Sequence, residues 1–209
     1  MTVQVKICGI NHPVAFDAAL AAGADWLGFN FFPRSPRYVT PRQAAELAGR
    51  SRVRTLRVGL FVAPTAEVVE AALEAVQLDA LQIYGAMDVP ALRRRFGVPI
   101  WLPVGVASVR DLPYAPDGAD RLLLEAKAPV GATRPGGNAT QFDWSLLRDW
   151  QAPAPWILAG GLTADNVAEA IRTTGADAVD VSSGVERERG VKDPDMIRAF
   201  VRNARAALA

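Results

Sequence analysis

One pattern recurs along the chain and limits what it can become. An apolar run with strand character leads into a turn, then into an Ala-rich amphipathic stretch, at a spacing of about 25 residues. Strands are expected at 3–8, 25–31, 55–62, 80–84, 100–106, 121–125, 156–159 and 178–182. Strands separated by helices run parallel, because each return to the same edge needs a crossover. Eight such units close on themselves, so the reading is an α/β fold, a single-domain (β/α)8 TIM barrel spanning 1–209. An open doubly wound sheet is the alternative, and the regular count disfavours it.

Between the strands the helix signals are local. Asn11 or His12 can cap a helix at 13–22, with Pro13 in the first turn where proline is tolerated. Thr40-Pro41-Arg42-Gln43 is a capping box. Thr65 opens a helix to Val76, and another is expected at 89–96. Ser108 opens a short piece, a helix is expected near 144–149, Thr163 caps the next, and Asp193-Pro194 opens the last, to Leu208. Two loops stand out, 32–38 with its two prolines and 127–142 with Pro135-Gly136-Gly137-Asn138. A barrel carries its functional residues on the loops after the strands.

Composition excludes several classes. Half of the 209 residues are hydrophobic, and a chain of this size buries enough surface to fold without disulfide or metal. One cysteine allows no internal disulfide and suits a reducing cytoplasm. A net charge of +1 suggests neither nucleic acid nor a membrane surface as partner. No signal peptide and no long apolar run is read. The single histidine, His12, leaves little room for a His triad or a multi-His metal site.

The first strand is unusual. Val5 and Ile7 face one way, and Gln4, Lys6 and Cys8 face the other, so one side of a buried strand carries an amine and a thiol. A free cysteine is most often a small buried hydrophobe. Here it ends a strand, two positions from a lysine whose charge favours the thiolate. Lys6 needs a partner, and Asp180 on the eighth strand lies next to the first strand in a closed barrel. Glu125 ends the sixth strand at the mouth and can act as a general acid; the plain alternative is an ion pair with Lys127 or Arg121. Gly160-Gly161 after the seventh strand and Ser183-Gly184 after the eighth are small residues where barrels bind phosphate through backbone amides. Arg37 offers a bidentate fork to a carboxylate, or is a solvated loop arginine. Gln82 offers an amide inside the mouth, or a structural hydrogen bond. A thiol base, a carboxylic acid and a phosphate cradle suit acid–base chemistry on a sugar phosphate.

Lys6-Ile-Cys-Gly-Ile10, Ser35-Pro-Arg37, Gly59-Leu-Phe-Val62, Phe142-Asp-Trp144, Leu158-Ala-Gly-Gly-Leu-Thr163 with Asn166, and Asp180-Val-Ser-Ser-Gly-Val-Glu186 with Gly190-Val-Lys-Asp193 resemble the phosphoribosylanthranilate isomerase family of tryptophan biosynthesis. The resemblance covers nearly the whole chain. It implies a (β/α)8 barrel and an Amadori rearrangement of N-(5-phosphoribosyl)anthranilate, with no metal or cofactor. It implies Cys8 as general base and Glu125 as general acid. Arg37 falls near the anthranilate carboxylate, Asp180 close to substrate, and Gly161 and Ser183-Gly184 on the phosphate. A monomer or homodimer in the cytoplasm is expected. There are departures: the acid in the family is usually Asp, Tyr84 stands where a histidine is usual, and a Gly-rich turn reads Gly137-Asn-Ala139. An alternative follows, a phosphosugar-binding barrel with weak or no turnover because Glu125 is misplaced. A sister isomerase of histidine biosynthesis is disfavoured, because the first and fifth strands end in Cys8 and in Val104 and Val106 rather than paired aspartates.

Overall fold

The computed structural model describes residues 2–51, 55–85, 88–128 and 140–208. The Gly-rich turn at 136–139 lies outside them. Eight parallel strands close a barrel in chain order: β1 (Gln4–Cys8), β2 (Trp26–Asn30), β3 (Leu56–Val62), β4 (Ala80–Tyr84), β5 (Ile100–Val106), β6 (Arg121–Ala126), β7 (Trp156–Leu158) and β8 (Ala178–Val181). β8 returns to pair with β1, and its register sets Lys6 beside Asp180. The helices are α1 (Pro13–Ala21), α2 (Pro41–Ala48), α3 (Ala66–Ala75), α4 (Val89–Phe96), α5 (Val167–Thr174) and α6 (Pro194–Ala206). A two-stranded hairpin, β9 (Glu186–Glu188) and β10 (Val191–Lys192), is inserted between β8 and α6. No helix among the described residues is long and apolar enough to cross a membrane.

Local chemistry explains most helix starts. Thr40 and Gln43 form the expected capping box, and His12 caps α1 by accepting the Val14 amide on Nδ1 at 3.3 Å. Two expectations are corrected. The piece near 144–149 is only a 3-10 turn, Trp144–Leu147, fixed at its start by the Asp143 carboxylate. α5 begins at Val167, not just after Thr163, because Asn166 accepts the Thr163 amide on Oδ1 and donates through Nδ2 to Gly161 O, closing the β7–α5 turn. After β5 there is likewise only a 3-10 turn, Val109–Asp111.

Strand alternation builds two apolar layers. Val5, Ile7, Leu27, Phe29, Phe61, Ile83 and Val179 pack outward against helix residues such as Phe16, Val69, Ile171 and Phe200. Trp26, Val58, Ala80, Trp101, Leu123, Ile157 and Ala178 form a separate cluster inside the barrel. Trp26 and Trp101 meet edge to face at 5.3 Å, and the Arg121 guanidinium sits 4.9 and 5.4 Å from their ring centres. This plug closes one end of the lumen. Two residues further along the strands the lumen turns polar, with Cys8, Asn30, Gln82, Glu125 and Asp180.

Trp101→Ala should therefore remove about 3–5 kcal/mol of stability, read as a lower urea midpoint. Substrate handling at the opposite end should survive below the new melting temperature.

Candidate active site

The polar end opens into a pocket of about 720 Å³, its mouth included. Cys8, Arg37, Gln82, Glu125, Gly160, Gly161, Asp180, Ser183 and Gly184 all line it. Residues more than 170 positions apart in sequence meet here because β1 and β8 are neighbours.

Lys6 is fully buried and donates to Asp180 Oδ1 at 2.8 Å. Its burial pulls the ammonium pKa down, but the Asp180 and Cys8 charges outweigh that and hold it above its ordinary value. Lys6 therefore stays charged beside Cys8. Burial pushes the thiol up, Lys6 pulls it down, Asp180 pushes it up again, and the result lies above the ordinary value. The expectation that Lys6 leaves the thiol easier to ionise holds for that pair and fails for the sum. The missing quantity was desolvation, which a strand pattern does not contain.

Glu125 is buried and lies close enough to the Tyr84 hydroxyl to influence its ionisation. Burial, then the Glu125 and Cys8 charges, hold the Tyr84 phenol well above its ordinary value, so it stays a proton donor. Gln82 Nε2 donates to the Tyr84 oxygen at 3.2 Å. Gln82 Oε1 is buried and has no partner among the described residues. Glu125 is not the partner of Lys127, which pairs with Asp111 at 2.8 Å, nor of Arg121, which stacks on the two tryptophans at the closed end. Two of the three departures from the motifs the chain resembles, Tyr84 and Glu125, thus lie beside each other.

Arg37 is 5% exposed, so it is not a solvated loop arginine. Its Nε and Nη2 donate to Glu186 Oε1 and Oε2 at 2.6 and 2.8 Å, and Nη1 makes no hydrogen bond to protein among the described residues. Lys192 Nζ approaches the same carboxylate at 2.7 Å and donates to Ser182 O at 2.9 Å. Burial opposes the Glu186 charge, but Arg37 and Lys192 overcome it and lower the carboxyl to about 2. Desolvation lowers Lys192 to about 8. Both residues stand in the motifs quoted above, yet nothing in the local pattern assigned them a role. Their partners come from the loop after β2 and the end of β8.

None of the Gly160, Gly161, Ser183 and Gly184 amides donates to a backbone carbonyl among the described residues. Gly161 has φ +67, and a Cβ there would lie 2.6 Å from Gln141 Cγ. A Cβ on Gly184 would lie 1.8 Å from Leu162 O. The two turns are thus pressed together, with their free amides facing one corner of the pocket. Among the described residues no group of three or more His, Cys, Asp or Glu is placed to hold a metal ion.

A closed parallel barrel with a thiol, a carboxyl and a corner of small residues at the C-terminal ends of its strands belongs to the class of (β/α)8-barrel enzymes. The family model for N-(5'-phosphoribosyl)anthranilate (PRA) isomerase matches residues 5–203. An N-(5'-phosphoribosyl)anthranilate isomerase of Acidiphilium cryptum is 54% identical over 205 residues, covering 98% of this chain and 99% of its own. That of Granulibacter bethesdensis is 51% identical over 212 residues, covering 98% of this chain and 100% of its own. The phosphoribosyl anthranilate isomerase crystal structure from Thermotoga maritima superposes with a TM-score of 0.84 at 36% identity, over 97% of this chain and 98% of that one. The chain belongs to the N-(5'-phosphoribosyl)anthranilate isomerase family.

Two measurements check these electrostatics. Alkylation of Cys8 by iodoacetamide should be slow at pH 7 and rise through the alkaline range, and Lys6→Met should slow it further. For Glu186 the folded pKa of about 2 lies below the usual 4.5, so its contribution is complete above pH 4.5 and is lost as pH falls toward 2. Urea unfolding between pH 4.5 and 2 should show a smaller acid loss in Glu186→Gln than in the parent.

Proposed function

We propose that Cys8 and Glu125 carry the reaction as base and acid. The chain is an isomerase of tryptophan biosynthesis. It converts N-(5-phosphoribosyl)anthranilate to 1-(2-carboxyphenylamino)-1-deoxyribulose 5-phosphate. The observation that carries the site assignment is that a thiol and a carboxyl line one pocket beside a corner of unpaired amides. A solved relative, 34% identical, is described as a complex with the reduced form of that product, which supports the same placement here.

The steps balance as follows. Protonated Glu125 gives its proton to the ribose ring oxygen, the C1–O bond breaks, and the nitrogen lone pair forms a C1=N iminium. The Cys8 thiol gives up its proton to solvent as the iminium forms; the thiolate then takes the C2 proton, the C2–H electron pair forms C1=C2, and the C1=N pair returns to nitrogen. The resulting enol tautomerises to the 2-ketone. The order suits the resting state, because the iminium adds a positive charge that favours the thiolate just when it is needed. The phosphate binds the Gly160, Gly161, Ser183 and Gly184 amides. Gln82 Oε1 accepts from a ribose hydroxyl, which gives its buried lone pairs a partner. Arg37 meets the anthranilate carboxylate with Nη1. Asp180 lies beside the sugar and balances Lys6.

The assembly proposed is a monomer or a homodimer. A cytoplasmic setting keeps the single thiol reduced.

Steady-state turnover of the anthranilate substrate tests the reading. Cys8→Ala and Glu125→Gln should each lower kcat by about a hundredfold or more, with folding intact by circular dichroism, while Glu125→Asp retains or raises it. Unchanged turnover in Glu125→Gln would remove that residue from the mechanism. Saturable binding of a product analogue with no turnover by the parent chain would leave only the non-catalytic alternative.

A further inference from the structure

The buried ionic cluster beside the pocket has no role in the proton transfers. Its centre is Glu186, whose side chain is 3% exposed. One carboxylate there accepts four contacts at most 3.0 Å long, from the loop after β2, from β10 and from the turn that precedes β10. Arg37, on the loop after β2, supplies two. Lys192 on β10 supplies one, at 2.7 Å. The Gly190 amide supplies another, at 3.0 Å. Lys192 in turn holds Ser182 O at 2.9 Å and Oγ at 3.3 Å, just before the Ser183-Gly184 turn. Asn11 Nδ2, after β1, donates to Gly190 O at 3.1 Å and ties the hairpin down from the other side.

Charge counting makes the arrangement specific. Two cations share one anion, so the cluster keeps a surplus positive charge. The Arg37 edge bearing Nη1 is the part left facing the pocket. A guanidinium gripped on two of its donors cannot swing, so its remaining donors point in one fixed direction. The same carboxylate fixes Lys192 and, through it, Ser182.

We infer that Glu186 is the positioning residue that sets the spacing between the Arg37 guanidinium and the Ser182-Ser183-Gly184 turn, and so selects a substrate bearing a carboxylate at one end and a phosphate at the other. Lys192 is the arm of this device that reaches the phosphate end. The inference rests on the reading of Arg37 as the carboxylate partner. Neither Glu186 nor Lys192 moves a proton in the reaction, so their effect falls on binding and selectivity.

The test compares kcat/KM for phosphoribosylanthranilate with that for phosphoribosylaniline, which lacks the carboxylate. In the parent enzyme the anthranilate form is preferred, and Arg37→Ala collapses the preference. Glu186→Gln should lower the preference at least tenfold, through KM, while kcat on the aniline substrate changes less than threefold. Lys192→Met leaves the Arg37–Glu186 pair in place and avoids an uncompensated buried charge. It should keep the preference but weaken competitive inhibition by inorganic phosphate at least fivefold. Equal losses on both substrates in Glu186→Gln, or unchanged phosphate inhibition in folded Lys192→Met, would overturn the inference. An Arg37→Ala enzyme that keeps the full preference would instead remove the reading of Arg37, and the inference with it.

Discussion

The 2.8 Å contact between Lys6 and Asp180 is the constraint on which the rest of the site depends. It joins the first strand to the last, across the seam where the barrel closes. Neither charge is tolerable alone inside the lumen, since breaking a buried pair costs about 3–5 kcal/mol. The seam therefore has one acceptable register, and that register brings Cys8 to the mouth. The pair also supplies a polar setting for a buried thiol. Lys6 draws its proton off, while burial and Asp180 hold it back.

Glu125 sits in a different kind of environment. The Tyr84 phenol lies beside it, and that phenol is itself held by Gln82. A Glu carboxyl reaches about one bond length further than an Asp from the same Cα. A Tyr hydroxyl also lies further from its backbone than a His nitrogen. These two departures from the family motifs therefore fall side by side, where a longer acid is met by a partner that can restrain it. Gly28 makes room on the other side. A Cβ there would stand 3.0 Å from the Cys8 sulfur, so β2 passes close behind the base.

The barrel divides its labour along its axis. At one end, Trp26, Trp101 and Arg121 fill the lumen and close it. At the other, the same alternation of strand residues delivers polar groups to a pocket. The loops after β2, β7 and β8 and the β9–β10 hairpin crowd around that end. Among the described residues, 3-10 turns follow β5 and β6 where other units show helices.

Strand order, strand ends and the inward set of residues were legible from the sequence, because period-two alternation and turn residues are local properties. β4, α4 and β5 fall where the pattern puts them; Cys8 ends β1 and Glu125 stands one residue before the end of β6, while Gln82, expected at a strand end, is the middle residue of β4. The Lys6–Asp180 pair followed from closure alone, once eight strands were counted. Other features were decided only by tertiary structure. The raised Cys8 pKa depends on how completely water is excluded, and desolvation is a property of the whole enclosure. The start of α5 depends on a bond from Asn166 back to Gly161. The capture of Arg37 by Glu186 joins residues 149 positions apart, and no spacing rule foresees it. Local sequence sets which way each side chain faces, but the partner it meets is fixed by the closed barrel, because burial and charge pairing act between segments far apart in the chain.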